Sequence, residues 1–277
     1  MTNTHASRWS VALLLALALA SGAASADDYL SPTNERVRLS IGVTRVSTDT
    51  DLRLDSSAGL TGNAVNLENQ FGLSGSNWQP KFQVMVRAGK RHRLRFDYFG
   101  LDRTGHTTLG LQAQPIVLKD VVFQAGDPIA TTMNMRTLGL SYEYSFIHRE
   151  RFELAAVLGI NDTDISLRAR VQTQFRHVDQ LDDKAGPLPT LGLDTTWVLS
   201  KRFYVDARVQ YLKASIDHVD GLLSFYEASA QYRLRPNVAF ALGYQAIKAY
   251  FDSRQPSNAG FFNFNTKGPE LFVRVGF

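Results

Sequence analysis

Two short segments of the sequence place a histidine two residues before a carboxylate. They are His177-Val178-Asp179 and His218-Val219-Asp220. A histidine held by a carboxylate can take a proton from water, so either pair could serve a hydrolase. Both segments fall in predicted loops, where solvated neighbours at this spacing are the more ordinary interpretation. We therefore predict no catalytic residues and no enzymatic activity, and we keep a hydrolase acting through these pairs as an alternative.

Other kinds of site lack the residue patterns that they require. The chain has no cysteine, which excludes disulfides and thiolate chemistry. Asp49, Asp51 and Asp55 are spaced like calcium ligands, but Leu54 stands where an EF-hand loop requires glycine. No glycine-rich phosphate loop or dinucleotide fingerprint occurs. The sequence thus predicts neither a cofactor nor a metal.

The charge balance argues against a nucleic-acid partner. The chain carries 30 Lys and Arg against 26 Asp and Glu. These basic residues are spread along the sequence, whereas nucleic-acid binding predicts a concentrated basic stripe. A hydrophobic content of 44% also argues against disorder.

The amino terminus has the pattern of a secretory signal peptide. Arg8 precedes an apolar run from Val11 to Ala20, and Ala24-Ser25-Ala26 fits a small-x-small cleavage site. The apolar run is shorter than the roughly 20 residues of a transmembrane helix. We expect residues 1–26 to be cleaved and residues 27–277 to form one domain.

The rest of the chain alternates between apolar and polar residues with a period of two, which predicts strands. About ten strands are expected, the first from Arg36 to about Thr48, with tight turns after the second, fourth, sixth and eighth. Longer polar stretches near 55–78, 110–128, 173–187 and 252–267 are predicted loops. In the fifth strand the apolar parity changes from even at Ile160 to odd at Ile165. A bulge near Asn161-Asp162 would explain this change. If the strands cross a membrane, a strand that continues beyond the lipid would explain it equally well.

The two faces of these strands have different chemistry. If the apolar face meets lipid, the other lines a lumen where charges of both signs nearly balance, so an internal ion-pair network is expected. Its predicted members are Arg38, Arg87, Arg93, Arg95, Asp97, Glu143, Glu153, Asp194, Asp206, Arg208, Glu227, Arg233, Glu270 and Arg274.

Aromatic residues mark both ends of the predicted apolar face, as at the two interfaces of a membrane. Beside the tight turns and the carboxy terminus lie Phe146, Phe152, Trp197, Phe203, Tyr232 and Phe277. Near the opposite strand ends lie Tyr98, Tyr211, Tyr226 and Tyr250.

The last strand carries a motif. Leu271, Val273, Val275 and Phe277 alternate with Phe272, Arg274 and Gly276, and the chain ends on the aromatic residue. This segment resembles the carboxy-terminal assembly signal of Gram-negative outer-membrane β-barrels. The resemblance implies insertion by the barrel-assembly machinery and contact with outer-membrane lipid. We expect an all-β, single antiparallel up-and-down transmembrane barrel in the outer membrane, with short periplasmic turns and longer external loops.

Function is less constrained than location. The main hypothesis is a monomeric, non-enzymatic barrel with a structural role or a narrow pore through its charge-paired lumen. A binding or adhesion protein that acts through its external loops is an alternative, because loops on rigid scaffolds often carry binding.

Overall fold

Ten long antiparallel strands close into a barrel. The computed structural model describes residues 30–56, 61–118, 121–171, 181–216, 218–255 and 259–277. The barrel strands, numbered along the chain together with three short ones, are β1 (Val37–Leu54), β3 (Ser76–Ala88), β4 (His92–Thr108), β7 (Pro128–His148), β8 (Phe152–Val171), β9 (Leu181–Val198), β10 (Phe203–Ile216), β11 (Val219–Arg235), β12 (Val238–Ser253) and β13 (Gly260–Gly276). The predicted all-β barrel is confirmed. The predicted signal peptide and His177 lie outside the described residues.

The last strand closes the barrel by pairing with the first. β1 and β13 are antiparallel partners from Arg38 and Gly276 at one end to Leu54 and Gly260 at the other. Each remaining barrel strand pairs with its barrel neighbours in chain order. Closure joins the first and last strands, so the sheet has no unpaired end strand that would lie in hydrocarbon. Among the described residues, no helix is long and apolar enough to cross a membrane.

The strands are longer than the sequence pattern predicts. The predicted loops at 173–187 and 252–267 are partly strand, because β9 begins at Leu181 and β13 begins at Gly260. β1 likewise continues to Leu54 instead of ending near Thr48. The extension of β1 was not predicted because its outward residues Asp49, Asp51 and Arg53 are charged, so the apolar alternation that marks a lipid-facing strand is absent.

The outer surface changes character along each strand. Toward the tight turns the outward side chains are apolar and exposed, including Val43 on β1 and Leu242 on β12. Beyond this apolar band, β1 turns Arg45, Ser47 and Asp49 outward. A surface that is apolar in one zone and charged in the next matches a barrel that crosses the membrane and extends above it.

The parity change in β8 is not caused by a bulge in its pairing with β7. β7 and β8 pair without interruption from Ile129 and Val171 to Ser145 and Ala155. Leu167 is buried and has the same parity as the lumen-facing Glu153. The odd-numbered apolar residues of β8 are therefore interior residues of a strand that has left the membrane. A register irregularity near Asn161 occurs only against β9.

Two predicted external loops fold into the barrel mouth. The stretch at 55–78 contains β2 (Val65–Asn66) and α1 (Leu67–Gln70), and the stretch at 110–128 contains the pair β5 (Ile116–Leu118) and β6 (Val121–Phe123). Asn66 caps α1 by accepting a bond from the backbone N–H of Asn69 at 2.9 Å. The rings of Phe71 and Phe123 meet edge to face at 5.1 Å between centroids. These segments form an external cap.

The aromatic residues lie where the sequence predicts them, with one addition. Trp197, Phe203 and Phe277 are exposed beside the tight turns, and Tyr211, Tyr226 and Tyr250 are exposed toward the external side. Trp78, which we did not include, is 64% exposed at the external rim. In the terminal motif, Val275 is only 4% exposed. It is not an open part of the lipid-facing surface.

Candidate functional site

The barrel interior contains a charged cluster in the half nearest the tight turns. All the residues of the predicted lumen network are buried or half-buried there. The structure joins most of them into ion pairs that cross the lumen between strands far apart in the sequence. Lys81 and Glu35, which the prediction did not include, also belong to the cluster.

Arg93 on β4 is the centre of the cluster. Its Nε lies 2.9 Å from Glu143, its Nη1 lies 3.2 Å from Glu153, and its Nη2 lies 2.8 Å from Asp194. The side chain is fully buried, as are those of Glu143 and Glu153. One guanidinium therefore bridges β7, β8 and β9 through its fork of donors.

Neighbouring arginines extend this contact. Arg95 also reaches Glu143, at 2.9 Å, and Asp194, at 3.1 Å. Arg87 clamps Glu153 with two bonds of 2.7 and 2.8 Å. Such bidentate pairs are the stronger charge-assisted hydrogen bonds. Arg208 connects the cluster to Asp97 at 3.4 Å.

Lys81 forms a second bridge across the lumen. Its Nζ lies 2.6 Å from Glu227 on β11 and 2.8 Å from Glu270 on β13, and it stands 4.4 Å from the centre of the Phe272 ring. The sequence does show Lys81 on the charged face of its strand. What the sequence could not show is that two acidic residues nearly 150 and 190 positions away share this single ammonium group.

The segment that precedes β1 packs into the periplasmic end of the charged cluster. Glu35 accepts from Arg38 at 2.9 Å and from Arg274, and Asp206 lies 2.7 Å from Arg274. Gly276 makes room for Glu35, because a Cβ at this position would lie 2.3 Å from the Glu35 carboxyl carbon. Arg233, the last predicted member, and Arg274 both stand over the ring of Tyr204.

The external half of the interior is apolar. Its core contains Val46, Leu52, Val65, Leu67, Phe71, Leu73, Leu101, Leu109, Ile116, Leu118, Phe123, Ile129, Met133, Met135, Leu167, Val171, Ala249 and Phe264. Within it, fully buried Arg103 pairs with Glu68 of α1 and donates to Thr50 at 3.0 Å. The external cap is thus held by apolar burial together with a buried ion pair.

A cavity lies between the charged and the apolar halves. Its volume is about 90 Å³. Phe99, Met135 and Ile247 supply apolar walls, and Gln79 and Thr137 are among its polar residues. No local sequence pattern predicts this cavity, since its walls come from strands distributed over the whole chain.

The histidine pair that the structure describes is not assembled as a catalytic dyad. His218 and Asp220 lie above the apolar band, and the Asp220 carboxylate pairs with Arg254 and not with His218. A hydrogen bond from Ser215 and the charge of Arg254 lower the pKa of Asp220. Asp49 and Asp51 bind the Asn66 amide at 2.8 and 2.9 Å. Within the described residues no group of three or more metal-ligating side chains occurs.

Comparisons with known proteins find the fold and no sequence family. No family model matches the chain, and no curated protein matches its sequence. The structure is similar to the outer membrane protease OmpT from Escherichia coli, with a TM-score of 0.56 and 10% identity over 91% of this chain and 99% of that one. The chain has the fold of Gram-negative outer-membrane β-barrels.

Two further solved structures resemble the barrel more distantly. The translocator domain of the autotransporter NalP from Neisseria meningitidis has a TM-score of 0.42 and 11% identity, over 98% of this chain and 97% of that one. Neisserial surface protein A has a TM-score of 0.33 and 12% identity, over 87% and 97%. Together with the apolar band, the fold places the protein in the outer membrane.

Proposed function

We propose that this protein is a non-enzymatic, monomeric outer-membrane barrel whose lumen is closed to ions. The single observation that carries the proposal is the filling of the lumen by two layers of different chemistry. The charged cluster fills the periplasmic half, and the apolar core with its external cap fills the other half.

The charged layer opposes ion passage because its charges are already matched. Arg93 alone contacts three carboxylates at 3.2 Å or less. A permeating ion would have to separate such pairs, which leaves a buried charge uncompensated. The apolar layer opposes ions by a second mechanism, since it has little to replace their hydration. This arrangement favours the structural role over the narrow pore.

The protein would enter the membrane through its last strand. Leu271 on the outer face of β13 and Phe277, which follows the strand, are both exposed, as a signal read by the barrel-assembly machinery requires. Lipid is then the partner of the apolar band. OmpT is a protease, but a likeness at 10% identity concerns the fold and gives the hydrolase alternative no catalytic residues.

Conductance across a planar lipid bilayer tests the closed lumen. We expect the refolded wild-type protein to give no discrete current steps in potassium chloride. An open porin inserted in the same bilayer is the control for sensitivity. Regular ohmic steps that scale with the amount of this protein would show a continuous water path and would refute the proposal.

A further inference from the structure

The barrel wall has a gap beside the cavity. β3 and β4 pair from Ala88 and His92 up to Lys81 and Phe99. Within the fully described segment 61–118, the seam is next joined further toward the external side. There the backbone N–H of Ser74 donates to Thr104 O at 3.3 Å, beside the isolated bridge of Leu73 with Gly105. Between these points, β3 continues to pair only with β1, and β4 only with β7.

Proline contributes to this interruption. Lys81 is the last residue of β3 that pairs with β4, and Pro80 lies next to it on the external side. Proline has no backbone N–H to donate to a neighbouring strand. Pro80 is the partner of Val43 on β1, at the level where the outward residues change from apolar to polar. An unpaired seam is tolerated there because it borders a cavity and the membrane surface instead of the hydrocarbon centre.

The outer side of the gap is covered by a tyrosine ring. A Cβ added to Gly100 would lie 2.8 Å from the Tyr98 hydroxyl and 3.2 Å from its Cζ. The ring of Tyr98 therefore lies along the strand over Gly100, where any larger residue would displace it. Both Pro80 and Tyr98 also line the cavity. A rotation of one side chain would shorten the path between the cavity and the outer surface.

Inside the cavity, one polar side chain has no partner. Gln79 is 2% exposed, and neither its amide nitrogen nor its oxygen has a hydrogen-bond partner among the described residues. A buried amide without hydrogen-bond partners destabilises the folded state, so a ligand that bonds to both atoms would be favoured. The charged wall residues Lys81 and Asp97 are each held in an ion pair, Asp97 through its Oδ2 alone. Its Oδ1 has no hydrogen-bond partner among the described residues and could accept a bond from an amide or hydroxyl group. The site therefore suits an uncharged molecule.

We propose that this cavity binds a small, uncharged molecule with an apolar body and one amide or hydroxyl group, and that the molecule enters sideways past Tyr98. An engineered cavity of about 150 Å³ accepts benzene, so the roughly 90 Å³ here matches a short-chain alcohol or amide. The amide of Gln79 supplies the hydrogen bonds, and Phe99, Met135 and Ile247 supply the apolar contact. A barrel that is closed to ions can hold this site, so the conductance test and the test below fail independently.

Single cysteines in this cysteine-free chain test the site. Q79C places a thiol in the cavity, and T137C places one on another wall with a smaller change of shape. Each folded variant is treated with iodoacetamide, a small neutral amide, and with iodoacetate, its charged counterpart of equal size. Rates are measured by mass spectrometry and divided by those of free cysteine. We expect iodoacetamide to react at least about tenfold faster, because the charge must be desolvated.

Three comparisons locate the entry route. 1-Butanol should slow alkylation of both cavity cysteines, and Y98A should accelerate it, whereas the control Y226A on an intact part of the wall should not. Q231C, whose native side chain bonds to Asp206 and Ser229 inside the charged cluster, should stay unreactive.

The proposal is overturned if Q79C and T137C are both unreactive, or show no preference for the neutral reagent. It is also overturned if F71A, which loosens the external cap, accelerates the reaction while Y98A does not.

Discussion

The two halves of the barrel are opposites. In the membrane zone the outside is apolar and the inside is charged, whereas above the membrane the outside is polar and the inside is apolar. β1 shows both arrangements, with Val43 exposed outside and Arg38 buried inside, then Arg45 exposed outside and Val46 buried inside. A sheet has two faces of alternating residues, so the solvent around the barrel decides which face holds which residues. Where lipid surrounds it, charges can only be placed in the lumen.

From this comparison we expect the stability of the barrel to depend on every ion pair of the charged half being complete. R93M leaves Glu143, Glu153 and Asp194 buried with less compensation. Breaking a buried network in this way costs about 3–5 kcal/mol, which is the largest effect expected here. The measurement is the shift in urea midpoint of the heat-modifiable folded band on gels. R91M, at the exposed turn next to β4, should leave the midpoint unchanged. An R93M midpoint equal to that of the wild-type protein would mean that the cluster contributes no stability.

The outer surface offers a sharper test of where the apolar band ends. L242K places a charge in the lipid-facing band, where Leu242 is 61% exposed. We expect a loss of about 2–4 kcal/mol, as for a lysine near the bilayer midplane. S47K, on the exposed outward face above the band, should change stability by no more than about 0.5 kcal/mol. The free energy of folding into lipid vesicles measures both. Equal losses would contradict the assigned membrane boundary.

The smallest expected effect concerns the ion pair inside the apolar half. E68Q keeps the shape of the side chain but leaves the buried Arg103 without its charged partner. A hydrogen bond to a charged group contributes about 1.5–3 kcal/mol. The amide oxygen introduced by E68Q can still accept a bond from Arg103, so part of this contribution is retained. We expect the external cap to open more readily, so limited proteolysis between residues 61 and 75 should accelerate. D102N changes an exposed, outward residue of β4 beside Arg103 and serves as the matched control. Unchanged proteolysis of E68Q would show that apolar burial alone holds the cap.

Most of the barrel could be predicted from the sequence because its cause is local. Alternation with a period of two is visible within any few residues, and it identifies which face meets lipid. The tight turns and the terminal Phe277 are equally local signals. The strand extensions above the membrane, such as Asp49 to Leu54 in β1, were not predicted. There the apolar residues face inward, so apolar alternation no longer marks the face that meets lipid.

The candidate sites depended on the tertiary structure. The sequence determined that Arg93 and Lys81 face the lumen, since parity alone decides the direction of a side chain on a strand. It could not determine that Lys81 meets Glu227 and Glu270, because barrel closure brings together strands that are distant in the chain. Nor could it show the unpartnered Gln79 beside a gap in the wall. Parity is set within one strand, whereas partners, cavities and gaps are set only when the ten strands close around a shared interior.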